Sequence, residues 1–341
     1  MAHFSVEQLK SIKTVITHGN CPDGIASAMI VADAYAGTDI AMPAIREISH
    51  GSPEKADLEP APGMMFVDFS PDPARAQDFI AAGALCLDHH AKGSSVQDFV
   101  KAGLGVFGDE NDNPGVCGAV LAYEHVWKPL RAEHQIDHEV IESFARLSGI
   151  RDTWQRQSPD WLKACELAEA LRFWSWEKLR GVPPAEWAGY FDQLGRHVWE
   201  KKTKTVAKVS ERVYRWTSPR GTRAGFFQGT KLSSDVAEAI GGSLDVLIAY
   251  DIRYEEGKFE LSCSSRSRGS YDCGSLALAH GGGGHTRAAG FTLPMTLESP
   301  NPYRMLQDML TAYEDKMNEA EGTTPYTVFP DGQILSPAPV P

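Results

Sequence analysis

Five short apolar runs in the first third of the chain, Thr14–Thr17, Ile40–Ile45, Gly63–Pro71, Ala84–Asp88 and Leu104–Phe107, alternate with helically spaced stretches such as Ile25–Tyr35, Pro73–Ala82 and Ser94–Ala102. Strands separated by helices of about ten residues predict right-handed βαβ units and a mostly parallel, doubly wound sheet covered on both faces. Two of the runs carry acids at their ends, Asp68 and Asp88. Ligands of open α/β sheets bind outside the carboxyl ends of the strands, so these acids are expected to line one functional edge.

The most informative end is ALCLDHHAKG, Ala84–Gly93, which delivers Asp88, His89 and His90 into one place. Side-chain alternation predicts that His89 points opposite to Asp88 and His90 unless the chain turns there. One histidine can then ligate a divalent metal while the other meets an anion, and the acid can orient an imidazole. The same tripeptide also suits a solvated loop. The first strand runs into HGNCPDG, where Pro22 and Gly24 break it before a helix that Gly37 stops. His18 and Asp23 in this turn are candidate metal ligands, beside a helix N-terminus that favours an anion. His18 can alternatively bond to backbone, and Asp23 can cap the helix.

At 341 residues the chain exceeds one ordinary core and predicts two domains. A formal net charge of −12 excludes a general duplex-coating protein, which needs a broad basic face, but suits a small phosphorylated substrate. The six cysteines, at 21, 86, 117, 165, 263 and 273, show neither zinc-site nor redox spacing and read as reduced thiols. With no apolar run of membrane-spanning length and no signal pattern, the expected location is the cytoplasm, with no membrane partner.

From Gly115 to Gly149 the pattern is helical, followed by Ile150-Arg151-Asp152-Thr153-Trp154, in which Asp152 sits between a cation and apolar residues. A local ion pair is one reading of that acid. Trp161, Trp174, Trp176, Trp187 and Trp199 read as packing rather than as a base-stacking platform. Ala185–Arg215 predicts a long connecting helix. Between Arg196 and Arg223 nine Lys or Arg face two acids, a local net of +7, either a solvated face or a basic wall for a nucleic-acid backbone.

A second α/β domain is expected from about Gly221, with strands at Arg223–Gln228, Leu244–Tyr254 and Lys258–Ser265 and helices at Ser233–Ile240 and Ser275–Ala279. HGGGGHTRAAGF, His280–Phe291, follows. Consecutive glycines cost conformational entropy on ordering, so Gly282, Gly283 and Gly284 before His285 suggest backbone amides approaching a phosphate. Arg266 is a second candidate anchor, its planar fork matching phosphate oxygens. The expected division is an N-terminal domain at 1–184, a connecting helix and linker at 185–220, a C-terminal domain at 221–321 and an extended tail at 322–341.

In order and spacing, His18 with Asp23, Asp68, Asp88-His89-His90, Asp152 and the glycine run with His285 resemble the DHH phosphoesterase superfamily with its associated C-terminal domain. The likeness spans roughly Thr14–Phe291. The CPDG turn and the Arg-Asp-x-Trp motif are most similar to the branch of short-oligonucleotide ribonucleases and cyclic-nucleotide phosphodiesterases. RecJ-type exonucleases and family II inorganic pyrophosphatases are more distant, and the glycine-rich domain points away from the pyrophosphatases.

The resemblance implies that His18 binds one metal, Asp68 bridges two, and Asp23, His89 and Asp152 hold the other. It implies Asp88 as a partner orienting a ligating histidine and His90 as a contact to the scissile phosphate. Arg266, the glycine amides and His285 would grip a terminal phosphate or base from the other side of an interdomain cleft. Mn²⁺ is the implied metal, with two ions and Zn²⁺ or Mg²⁺ as alternatives. The implied reaction is two-metal hydrolysis of short oligonucleotides to nucleoside 5′-monophosphates; a cyclic (di)nucleotide phosphodiesterase and a phosphatase of a bisphosphorylated nucleotide are alternatives. Homodimerisation is compatible with it. One departure stands out: Cys21 occupies a position where many members carry an acid, and a thiol is a poor ligand for hard Mn²⁺. Occupancy beside His18 is therefore open, and a nucleotide-binding regulatory protein with an incomplete metal site is the non-enzymatic alternative.

Overall fold

The computed structural model describes residues 4–36, 38–49, 52–90, 94–109, 112–131, 138–173, 182–255, 257–296, 301–320, 327–328 and 334–335. The chain divides into two compact units, Met1–Lys201 and Lys202–Pro341.

The first unit opens with α1 (Val6–Lys10), whose N-terminus is closed by a capping box between Ser5 and Gln8. Strands and helices then alternate: β1 (Thr14–His18), α2 (Pro22–Ala36), β2 (Ala44–Ile48), α3 (Pro53–Ala56), β3 (Met64–Val67), α4 (Ala76–Ala81), β4 (Leu85–Asp88), α5 (Val96–Lys101) and β5 (Gly105–Phe107). The five strands pair in parallel in the order β2-β1-β3-β4-β5. Alternation sends Val15, Met65, Val67, Leu85 and Leu87 into one core and Ile16, Met64, Phe66 and Cys86 into another. Burial on both faces is why these strands read as unbroken apolar runs. The strand order reverses between β1 and β3, the place where such sheets open a crevice for ligands. His18 ends β1, and Asp68 directly follows β3.

The second strand lies further along than expected, at Ala44–Ile48 rather than Ile40–Ile45. Pro43 has no N–H for the ladder, and the first bond to β1 comes from the N–H of Ala44 to the carbonyl of Lys13 (2.9 Å).

After β5 the chain is helical through α6 (Gly118–Ala122), a π turn at Tyr123–Trp127, α7 (Lys128–Arg131), α8 (His138–Asp152) and α9 (Trp161–Leu171). Trp127 is fully buried, and its Nε1 donates to Asp33 on α2 (2.7 Å). Trp187 is buried against Phe144, ring centroids 4.6 Å apart, which is the packing role expected of it. Trp174 and Trp176 lie outside the described residues.

The long helix α10 (Pro184–Glu211) places Trp187 and Phe191 in the core of the first unit and Val206 in a core of the second. It stops short of Arg215 because β6 (Tyr214–Thr217) begins there and pairs with β7 (Arg223–Gln228). The second sheet therefore starts inside the segment expected to be linker. It continues through α11 (Ser233–Ile240), β8 (Val246–Glu255), β9 (Lys258–Arg266), α12 (Cys273–Leu278), β10 (Gly283–His285), β11 (Ala288–Met295) and α13 (Pro302–Ala320). Its order is β10-β11-β9-β8-β7-β6, with β7 and β8 the parallel pair.

Gly283 and Gly284 of the glycine run are part of β10, hydrogen-bonded to β11. Gly281 has φ +72°, a Cβ on Gly282 would overlap the carbonyl oxygen of Gly290, and a Cβ on Gly284 would lie 2.6 Å from that of Ala288. Three of the four glycines thus serve the hairpin itself. Gly283 differs, since a Cβ there would meet nothing within 4 Å.

The basic run is also less basic than it reads. Arg196 pairs with Glu166 (3.9 Å), Lys202 with Asp235 (2.8 Å), Arg220 with Asp315 (2.8 Å) and Arg223 with Asp245 (2.6 Å). In the tail, the described Thr327–Val328 and Ile334–Leu335 pair with each other. Among the described residues no helix is long and apolar enough to cross a membrane.

Phe66 is fully buried, with ring centroids 6.4, 5.3 and 6.2 Å from those of Phe69, Phe79 and Phe99. Phe66→Ala is expected to destabilise the first unit by about 3–5 kcal/mol, read from the urea midpoint of its unfolding transition. An unchanged midpoint would mean that this cluster does not support the sheet.

Candidate metal centre

Three strand ends and three helix ends build the centre. At the end of β1 the chain reverses through Gly19 and Asn20, and Asn20 adopts φ +59° with its Nδ2 donating to Ser49 Oγ (3.1 Å). The reversal lets the Cys21 carbonyl accept the first bond of α2, from Ile25 N–H (3.0 Å). A Cβ on Gly24 would overlap the His18 carbonyl oxygen, so glycine is what lets α2 start against the end of β1. Cys21 and Asp23 are thereby brought beside His18.

At the end of β3, Asp68 leaves the strand with φ +56°, a conformation aspartate adopts more readily than most residues. Its N–H still bonds to the Leu87 carbonyl (2.9 Å), so the sheet fixes the turn. At the end of β4, Asp88 Oδ1 accepts from the N–H of His89 (2.8 Å) and of His90 (3.2 Å) and lies 2.7 Å from His90 Nδ1. Ser94 Oγ donates to the other oxygen (2.8 Å). The histidine ring oriented by Asp88 is therefore that of His90. The expected alternation fails here because β4 ends at Asp88 and the chain turns, leaving the His89 and His90 rings 4.5 Å apart at one pocket.

His89 is the hub. Its Nε2 lies 3.2 Å from Asp68 Oδ1, 3.5 Å from Asp152 Oδ2 and 3.9 Å from Asp23 Oδ2. On the other side His18 Nδ1 lies 3.6 Å from Asp68 Oδ2. Asp152 ends α8 between Arg151 and Trp154, which lock against each other with the guanidinium 4.3 Å from the ring centroid.

Gly118 was not among the sequence candidates, yet it closes the site. Its N–H donates to Asp23 Oδ2 (2.6 Å) and that of Ala119 to Oδ1 (3.0 Å), so the start of α6 clamps the carboxylate. A Cβ on Gly118 would overlap that of Asp68 and lie 2.8 Å from Asp23 Oδ2. The available signal was the small-residue run Gly115–Val120 opening a helical stretch. Lys55 was missed as well: its Nζ stands 4.9 Å from the Phe69 ring centroid, and that ring lies 6.5 Å from His18. Burial pushes the Lys55 ammonium down, against Asp72 and Asp88, which favour its charge.

Electrostatics divides the acids. Burial, then Asp68 and Asp152, push Asp23 well above the usual carboxylate range. Burial acts on Asp68 too, but the neighbouring His18 and His89 outweigh it and hold Asp68 low. Burial opposes the charge on both members of the Asp88–His90 pair, and their mutual bond overcomes it, lowering Asp88 and raising His90. The Cys21 thiol is pushed up by burial and then by Asp68, Asp152 and Asp23.

The donor atoms fall into three overlapping groups, His18–Cys21–Asp68, Asp68–His89–His90 and Asp23–His89–Asp152, each with its ligand atoms within 4.8 Å of one another. Ligands around a tetrahedral divalent ion with bonds of about 2.0–2.3 Å stand roughly 3.3–3.8 Å apart, which the 3.6 Å between His18 and Asp68 matches. Asp68 Oδ2 is buried and accepts no hydrogen bond among the described residues. A cation would satisfy it, and the donor set fits one.

The remaining sequence candidates lie in the second unit. Arg266 is held by Nε donating to Ser234 Oγ (3.0 Å) and Nη1 to the Ser265 carbonyl (2.8 Å). Gly282–Gly284 lie on the hairpin that pairs with β9 through β11. The His285 side chain lies outside the described atoms.

No protein-family model and no curated protein matches the chain. Solved structures do. A DHH domain described as a member of the s1p family of ribosomal proteins aligns over 91% of this chain and 87% of its own, with 14% identity and a TM-score of 0.59. RecJ from Thermus thermophilus, solved in complex with Mn²⁺, aligns over 91% of this chain with 16% identity and a TM-score of 0.54, and the chain spans 53% of RecJ. A pGpG-specific phosphodiesterase of Vibrio aligns over 89% of this chain and 99% of its own, with 13% identity and a TM-score of 0.49. The fold is that of DHH-domain proteins.

Asp152 is the partly exposed member of its group, so its replacement should spare the fold. Asp152→Asn is expected to melt within a few degrees of the parent without metal, and to lose most of the stabilisation that Mn²⁺ confers, about 2.7 kcal/mol at a hundredfold excess over Kd. An undiminished Mn²⁺-dependent rise in Tm would remove Asp152 from the ligand set.

Proposed function

We propose that this protein is a metal-dependent phosphoesterase of the DHH type that hydrolyses short oligonucleotides to nucleoside 5′-monophosphates. The reading is carried by the convergence of donor atoms from His18, Cys21, Asp23, Asp68, His89 and Asp152 at the reversal of the strand order, with an acid-held imidazole beside them. The likeness of fold to Mn²⁺-bound RecJ supports it. These residues would hold two divalent ions, which when bound lower the pKa of a water and offset charge on the phosphoryl group.

The chain's own groups supply orientation and positive charge. Asp88 fixes the His90 ring and favours its imidazolium, a cation suited to a phosphate oxygen. Lys55 brings a second cation over Phe69. Arg266, its fork pre-set by Ser234 and Ser265, suits a terminal phosphate or a base in the second unit. The net charge of −12 and the paired basic run favour short substrates over long strands. Six free cysteines suit a reducing cytoplasm.

The test is turnover of RNA and DNA oligomers of graded length, with cyclic mono- and dinucleotides and a bisphosphorylated nucleotide beside them, in Mn²⁺. Fast release of mononucleotides from the shortest oligomers, fading with length, is expected. Preference for a cyclic dinucleotide or a bisphosphate would move the substrate assignment, and no metal-dependent turnover of any of them would overturn the enzymatic reading in favour of a nucleotide-binding protein. Asp68→Ala should abolish turnover with the fold retained by circular dichroism; activity persisting with metal bound would contradict its shared role. Lys55→Met should raise KM for the diester more than it lowers kcat, and an unchanged KM would remove Lys55 from substrate contact.

A further inference from the structure

The two ends of the centre are chemically unlike. On one side the donors are His18 nitrogen, Cys21 sulfur and an oxygen of Asp68; on the other they are carboxylates of Asp23 and Asp152 with His89. Asp68 turns one oxygen to each side, with Oδ2 3.6 Å from His18 and Oδ1 3.2 Å from His89. Sulfur and imidazole favour softer ions such as Zn²⁺, while carboxylate-rich sets suit Mn²⁺ or Mg²⁺. Cys21 stands in the turn before a 15-residue helix, accepts from the Gly24 N–H, and has its sulfur within 4.8 Å of the donor atoms of His18 and Asp68. Asp68 Oδ2 is buried, and its near neighbour on the Cys21 side is His18 Nδ1 at 3.6 Å, a separation that leaves room for an ion held between the two.

Resting on the metal-dependent reading above, we propose that the centre holds two different metals. A thiophilic divalent ion such as Zn²⁺ is bound by His18, Cys21 and Asp68. A hard ion such as Mn²⁺ is bound by Asp23, His89 and Asp152, with Asp68 shared between the two. Selectivity for the pair is then set by one sulfur.

The experiment uses the full-length protein, stripped of metal under reducing conditions and titrated with Co²⁺, whose bond to a thiolate gives a near-ultraviolet charge-transfer band. The band is expected in the parent and in Cys117→Ser, and expected to be lost in Cys21→Ser. Cys117 is the informative control because its thiol lies beside Asp23 in the same centre. Elemental analysis after equilibration with equal Zn²⁺ and Mn²⁺ should find one of each per chain. In Cys21→Asp it should find Zn²⁺ retention lowered by tenfold or more, with manganese in its place. Absence of the band in the parent, its survival in Cys21→Ser, or two identical ions per chain would each overturn the proposal. A sulfur–cobalt band in a protein that hydrolyses no phosphoester would leave this metal assignment standing and defeat the functional one. Turnover without the band would do the reverse.

Discussion

The first unit is organised around a repulsion it has to contain. Asp23, Asp68 and Asp152 all reach the same nitrogen of His89 within 3.9 Å, and Asp23 and Asp68 are almost fully buried. Two like charges about 4 Å apart at an effective dielectric of 20 repel by roughly 4 kcal/mol. A charge-assisted hydrogen bond returns about 1.5–3 kcal/mol. Three ionised carboxylates are therefore not sustainable on the imidazoles alone. The acids are placed unequally: His18 and His89 hold Asp68 low, while burial and its acidic neighbours push Asp23 up, opposed by the N–H bonds of Gly118 and Ala119. Divalent cations would offset the repulsion among the three, which is why an arrangement unfavourable in isolation suits a metal centre.

Backbone devices hold the acids where side-chain energetics would not. Gly24 lets α2 begin against the end of β1, and Gly118 lets α6 approach both Asp23 and Asp68 while its amide clamps the former. Asp68 accepts a left-handed conformation that costs about 1–2 kcal/mol, and the ladder bond from its N–H to Leu87 holds it there. Each device lies where β1, β3 and β4 end, so the parallel sheet supplies the rigidity and the turns supply the aim.

This division explains what could be read from the sequence. Strand ends bearing acids and histidines announce themselves, because a buried run must be apolar and an abrupt Asp-His-His is not. The sheet class followed from the same alternation. Gly118 was illegible because its importance lies in what a methyl group would strike, a fact of tertiary distance with no local pattern. Lys55 sits on a four-residue helix whose sequence resembles any exposed turn, and only the folded chain lays it over Phe69. The glycine run was conspicuous, but the pattern alone could not show that Gly281, Gly282 and Gly284 are required by the hairpin while Gly283 is the position with space beside it.

The basic stretch shows how composition along one dimension overstates a surface. Nine cations against two acids suggest a track for a polyanion only while their partners are out of sight. Four of them find acids brought from α9, α11, α13 and the start of β8, and Lys202 and Asp235 meet with side chains only 12% and 11% exposed. A lysine held that way has lost the counterions whose release drives binding to a nucleic-acid backbone, so it cannot supply that driving force. Within the first unit the positive charge beside the centre is local and sparse: His90 on its acid and Lys55 over a ring. Few fixed cations beside a metal centre, here His90 and Lys55, discriminate by where a phosphate can stand.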